Sequence, residues 1–254
     1  MEVLVCVKRV PAPGARIVLT PDGQHIDTRH LGFTVSPHEE CAIEEAVRII
    51  ERHGGSSTVL TLGPPEADEQ LRYALAMGVN HGVLVEIDEG EWDPQATAAA
   101  ISDAIEVLES EGTTFDLVLF GNESADAGNY QVGIRVAHTL GLPIVTGIKG
   151  IEVGEEHVSL RRATPDGFER YELPLPAAAG VKEGINLPRY PAVTGRLRAK
   201  KATVRTFQPE RRAGGLEKVG LRHPPRQETE TVVLGVGAEA APRAADVLEE
   251  LGLL

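Results

Sequence analysis

Apolar and polar positions along the first 145 residues switch repeatedly between two periods. Val3-Leu4-Val5-Cys6-Val7 is an unbroken apolar run of strand length. Ser36-Pro37-His38-Glu39 then opens a helix: Ser at the N-cap, Pro at N1 and Glu at N3 form a capping box with a pre-set φ. Ala42, Ile43, Ala46, Val47 and Ile50 follow on one helical face, and Gly54-Gly55 ends the helix. The alternation recurs as a strand over 57–63, a helix over 66–77 stopped at Gly78, and a short strand over 82–85. An Ala-rich helix over 94–108, a strongly apolar strand over 115–121 and a helix over 131–140 complete it. Such alternation predicts an α/β fold: a mostly parallel open sheet with helices on both faces.

The pattern changes after residue 146. Residues 147–175 alternate apolar and polar, with turn signals at Val153-Gly154 and Pro165-Asp166-Gly167, which predicts an antiparallel hairpin. The following stretch, 173–201, carries the turn Asn186-Leu187-Pro188-Arg189-Tyr190-Pro191 and a basic exit. Pro188 and Pro191 fix φ and push Leu187 and Tyr190 toward extended backbone. A rigid loop with an Arg and a Tyr near its apex suits binding to another macromolecule, although an ordinary surface loop has the same composition. Beyond Lys201 no clear core is legible. Residues 208–230 read as an extended arm, 231–234 as a candidate strand and 241–251 as a terminal helix. The expected organisation is a domain over 1–195, with hairpin and loop, and an arm with helix over 196–254.

Composition narrows the classes. Apolar residues make up 42% with few aromatics, so the core is aliphatic. No apolar run approaches the ~20 residues of a membrane span, the amino-terminus lacks a signal-peptide layout, and Cys6 and Cys41 make no disulfide framework. Direct membrane insertion is therefore not expected, and a cytoplasmic location is. A net charge of −13 argues against non-specific nucleic-acid binding. The charge is uneven: 196–226 holds ten Lys or Arg against two Glu, a strip suited to phosphates, to an acidic partner or to plain solvation.

The eight histidines show no metal-ligand spacing, and no nucleophile elbow or Walker loop is present. An enzyme with its own catalytic residues is poorly supported. Gly235-Val236-Gly237 looks like half of a dinucleotide fingerprint, but too few residues follow it for the second strand. A better nucleotide site lies at the carboxyl ends of the parallel strands. There the loop Gly121-Asn122-Glu123-Ser124-Ala125-Asp126-Ala127-Gly128-Asn129-Tyr130-Gln131-Val132 follows the most apolar strand and opens a helix. Its small residues admit a phosphate close to backbone N–H groups, and the helix N-terminus favours negative charge. Asp126 accepts from a hydroxyl or a loop amide, or simply caps the next helix. Ser36, Pro37, His38 and Glu39, together with Cys6 and Leu62, are expected around the same crevice.

Together these pieces resemble the beta subunit of an electron transfer flavoprotein, an adenine-nucleotide-binding type of this fold. The matching features are Val7-Lys8-Arg9-Val10, Ser36-Pro37-x-Glu39, Leu62-Gly63-Pro64 and Ala74-Leu75-Ala76-Met77-Gly78. They continue with Asp116-Leu117-Val118-Leu119-x-Gly121, Asp126, Gln131, Asn186-x-Pro188-Arg189-Tyr190 and Ala199-Lys200-Lys201. The resemblance spans residues 2–201 and, weakly, the last helix. It implies an electron carrier subunit rather than an enzyme, paired with an alpha subunit that carries most of an FAD site. It also implies a buried AMP, or a second FAD in its place in bifurcating members. By the same resemblance Cys6, Ser36 to Glu39, Leu62 and the 121–132 loop line the AMP site. Asn186, Arg189, Tyr190 and Val193 belong to a docking loop for acyl-CoA-type dehydrogenases, with electrons passing on to a membrane quinone oxidoreductase. The chain departs from the pattern at His38, where aromatic or small residues are usual, and in keeping only Asp126 of two or three consecutive acids. A free-standing adenine-nucleotide module and a nucleotide-hydrolysing enzyme are the rival readings.

Overall fold

A computed structural model describes residues 1–88, 90, 92–212, 215–225 and 231–254. The chain divides into two compact units, Met1–Val219 and Gly220–Leu254.

The first unit is built on β1 (Glu2–Val7), with a short ladder of β2 (Val10–Pro11) and β3 (Phe33–Thr34) beside its exit. Then follow α1 (Pro37–His53), β4 (Ser56–Gly63), α2 (Asp68–Met77), β5 (His81–Glu86), α3 (Pro94–Ser110), β6 (Leu117–Gly121) and α4 (Val132–Thr139). A meander of β7 (Ile144–Val153), β8 (His157–Thr164) and β9 (Gly167–Pro174) leads to β10 (Ala177–Val181), α5 (Val193–Lys201) and β11 (Val204–Phe207). One sheet runs β11-β5-β4-β1-β6-β10-β7-β8-β9. Pairing is parallel from β11 to β7 and antiparallel across β7-β8-β9.

The alternation of β1 explains the layers. Val3, Val5 and Val7 point into the cluster formed with α1 and α2, whereas Leu4 and Cys6 point into the cluster formed with α3 and α4. Because both faces are covered, the strand is apolar at every position. From β1 the chain turns one way to β4 and later the other way to β6. The carboxyl ends of β1 and β6 therefore flank the topological switch, where an open α/β sheet binds ligands.

Several expectations need amending. The predicted hairpin is a three-stranded meander that extends the main sheet. The helix expected from 66 begins at Asp68, after a 3-10 turn over Pro65–Ala67. Residues 231–234 form no strand among the described residues. The described part of the predicted arm over 208–230 is irregular, and 213, 214 and 226–230 lie outside the described residues.

The largest difference concerns 193–207, which joins the first unit as α5 and edge strand β11 rather than opening an arm. Small residues allow it. Gly195 and Ala199 face α2, and a Cβ on Gly195 would stand 2.3 Å from the Ala76 carbonyl oxygen. Arg72 Nη1 then donates to the Ala199 and Ala202 carbonyls at 2.6 and 3.3 Å, satisfying the carboxyl end of α5. Arg198 Nη2 returns a bond to Leu75 O at 3.0 Å.

In the second unit α6 (Ala241–Glu250) follows a short 3-10 turn, and Arg243 donates to Leu234 O at 3.2 Å. None of its helical residues is buried, and Val232, Val233, Val236, Leu248 and Leu251 are exposed.

Gly195→Ala is expected to destabilise the protein by roughly 1–3 kcal/mol, the usual cost of overpacking a close contact. A urea midpoint equal to wild type would show that α5 does not depend on that approach.

Candidate functional site

The site is assembled around one buried carboxylate. Glu39 Oε2 accepts from Ser36 N and Oε1 accepts from Lys8 N, both at 2.9 Å. The first bond is the reciprocal arm of the capping box. The second ties the exit of β1 to the start of α1. Gly121 lies against the same side chain, where a Cβ would meet Glu39 Cγ at 2.6 Å. Burial pushes the Glu39 carboxyl up to about 7, against the pull of the Ser36 and Lys8 amides and the Lys8 charge.

Above this knot the 121–132 loop turns over the carboxyl end of β6. Asn122 N donates to Val181 O at 2.8 Å, fixing the start of the loop on β10. Lys8 Nζ reaches Asp126 Oδ2 at 2.5 Å, and Ala127 N donates to Asp126 Oδ1 at 2.7 Å. Partial burial raises the Asp126 carboxyl, but Lys8 outweighs it and holds it below the usual carboxylate range. His38 Nε2 lies 3.3 Å from Glu123 Oε1, while its Nδ1 accepts from Glu183 N at 2.8 Å. Gly128 and Tyr130 adopt φ of 55° and 56°, so the loop turns through a left-handed stretch.

Beside these contacts lies an open pocket of about 340 Å³ lined by Pro37, His38 and residues 123–128. A larger depression of about 920 Å³ lies at the opposite end of the strands, beside Met1, Asp116 and the 153–157 turn. The smaller pocket is the functional candidate because it stands at the switch point, where backbone amides and charged groups converge.

Eight of the expected nucleotide residues therefore line one cavity: Pro37, His38, Glu123, Ser124, Ala125, Asp126, Ala127 and Gly128. Ser36, Glu39 and Gly121 support it from beneath. Cys6 is buried on the α3 and α4 face of β1, and Leu62 and Val132 pack against that same cluster. Asn129 and Tyr130 are exposed, and Gln131 accepts from Arg135 on α4. Cys6 and Cys41 are both free thiols. Lys8 and Glu183, which hold Asp126 and His38, are not among the expected residues. Lys8 carried a signal, a cation directly after the strand at the switch point.

The expected docking residues divide in two. Asn186 Nδ2 donates to Cys41 O and to Glu45 Oε2, both at 2.9 Å, and Arg189 turns back onto Glu44 and Glu51 of α1. Tyr190 and Val193 instead stand 84% and 74% exposed, beside Leu187 at 84% and Leu197 at 59%. Among the described residues no cluster of His, Cys, Asp and Glu is arranged to hold a metal ion. No helix among them is long and apolar enough to cross a membrane.

The electron transfer flavoprotein domain family matches residues 25–211. The chain belongs to the beta-subunit family of electron transfer flavoproteins. The electron transfer flavoprotein subunit beta of Bacillus subtilis is 30% identical over 98% of this chain and 97% of its own length. The subunit CarD of the caffeyl-CoA reductase-Etf complex of Acetobacterium woodii is 30% identical over 89% of this chain and 86% of its own. The acryloyl-CoA reductase electron transfer subunit gamma of Anaerotignum propionicum is 32% identical over 77% and 73%. Membership makes this beta-type subunit an electron carrier component rather than a catalytic enzyme.

Glu39 makes a prediction about pH. Its folded value of about 7 exceeds the ordinary 4.5, so the folded chain binds more protons between those values. The stability it contributes is fully present below the lower value and declines as pH rises to about 7, by on the order of 3 kcal/mol. Urea denaturation of Glu39→Gln is expected to lack that decline. The same slope in both proteins would mean that Glu39 stays ionised throughout.

Proposed function

We propose that this chain is the beta subunit of a heterodimeric electron transfer flavoprotein that binds AMP in the pocket at the switch point. It completes the FAD site of an alpha subunit and docks acyl-CoA-type dehydrogenases, and electrons pass on toward a quinone oxidoreductase. Bound FAD supplies the redox chemistry. The chain's own residues hold a nucleotide and present a surface. Fatty acid oxidation in the cytoplasm is the setting this reading implies.

The observation that carries the AMP assignment is the pocket of about 340 Å³, near the lower end of the ~300–1,000 Å³ range of small-molecule sites. The donor set fits. The amides of the 123–128 loop would hold a phosphate, Lys8 would supply positive charge, and His38 and Glu123 would offer hydrogen bonds to ribose or base. Asp126 would keep Lys8 at the loop and turn an acceptor to a hydroxyl rather than to a phosphate. The exposed apolar segment 187–197 supports the docking role. The unburied apolar residues of the second unit support contact with the alpha subunit.

Co-expressed with its alpha subunit and denatured after purification, the heterodimer is expected to release one FAD and one AMP, quantified by chromatography. Two FAD and no AMP would replace AMP with a second FAD. The absence of FAD from any complex would reject the electron-transfer reading in favour of a free-standing nucleotide module. Truncation after Val219 is expected to abolish heterodimer formation in size-exclusion chromatography. A stable heterodimer without residues 220–254 would remove the second unit from the interface.

A further inference from the structure

The exposed segment after Glu183 is held by two acids of α1, the buried Glu44 and the exposed Glu51. Glu44 has a side chain only 2% exposed, yet it sits beside two guanidinium groups. Arg189 Nε donates to Glu44 Oε2 at 2.8 Å, and the Arg189 backbone N–H donates to the same oxygen at 3.1 Å. Arg189 Nη1 and Nη2 fork onto the two oxygens of Glu51 at 2.6 and 2.9 Å. Arg48 Nε donates to Glu44 Oε1 at 2.6 Å, and its Nη2 donates to Leu187 O at 3.3 Å. One planar guanidinium thus joins two turns of α1 to the chain that carries Leu187, Tyr190 and Val193. A point charge such as Lys lacks that fork.

The segment shows a contrast between backbone and tip. Its backbone is fastened at Asn186, Leu187 and Arg189, whereas the side chains of Leu187, Tyr190 and Val193 are exposed. On α5, Val193 and Leu197 lie about 200° around the helix from Gly195 and Ala199, which face α2. Arg196 stacks over Tyr190 at 5.1 Å, placing that ring on the same outward face. Immobilising such a surface before contact removes an ordering cost of binding.

We propose that Arg189 is a positioning residue, not a contact residue: with Glu44 and Glu51 it pre-organises the apolar surface from Leu187 to Leu197 for a partner protein. This rests on the docking reading above. It moves Arg189 from the list of groups that touch the partner to the framework beneath.

The test uses the intact heterodimer, with an acyl-CoA dehydrogenase as electron donor. Arg189→Lys and Glu51→Gln are the main variants, because both leave Glu44 beside a cation. Tyr190→Ala tests the tip. Hydrogen exchange of amides 186–193 is expected to accelerate about tenfold in Arg189→Lys, while amides of β1, β4 and β6 keep their rates. KM for the dehydrogenase is expected to rise about tenfold with a smaller fall in kcat. Glu51→Gln should give the same pattern, weaker. Tyr190→Ala should raise KM with exchange like wild type outside its own residue. Unchanged exchange in Arg189→Lys would overturn the clamp. Faster exchange with unchanged KM, while Tyr190→Ala still raises KM, would overturn positioning and leave docking intact. If none of the variants moves KM, the docking reading fails, and the proposal with it.

Discussion

The first unit depends on a carboxylate taken out of water. Glu39 is buried where β1 ends, α1 begins and β6 passes, and its two oxygens are satisfied by backbone amides from two of those segments. An unpaired acid in that position is strongly unfavourable, so the amides must be where they are. Their placement fixes the exit of β1, and with it Lys8. Gly121 is required because no Cβ fits against Glu39. The start of the 121–132 loop is thereby set within the space of one side chain.

Helix α1 carries this constraint in two directions. Its first residues, Pro37 and His38, line the pocket. Its middle turns hold residues 186–189 through Cys41, Glu44, Glu45 and Arg48, and Glu51 adds a further hold. His38 also meets the segment's start, accepting from Glu183 N. The pocket and the exposed segment are thus fastened to one rigid element. The acids of α1 in a protein of charge −13 are specifically partnered here rather than a solvated face. An ion pair on a buried carboxylate is weak evidence for stability, but it fixes one geometry.

What the sequence conveyed and what it withheld follow from range. The β1 run and the Ser36-Pro37-Glu39 start of α1 are local signals, and both elements formed where the pattern put them. The place of the 121–132 loop was legible for the same reason, as a βα turn after an apolar strand. Helix α5 was not. It contains Gly195, lacks an apolar stripe and is held through Arg72 and Ala76, more than a hundred residues earlier in the chain. Strand β11 is short and half exposed, so its only cue is the edge of β5 that it joins. Lys8 and Asp126 are 118 residues apart, and nothing local predicts their bond. The inward turn of Arg189 was hidden likewise, since Pro188 and Pro191 announce a rigid loop without saying which side chains face out.

The central claim is that the knot at Glu39 builds a mononucleotide site at the switch point. A crystal structure of the heterodimer purified with its native nucleotide tests it most directly. The account predicts AMP against Pro37 and His38 and over residues 123–128, with its phosphate near Lys8 and its hydroxyls toward Asp126. A pocket filled by the alpha subunit's chain, or a nucleotide bound elsewhere, would contradict it.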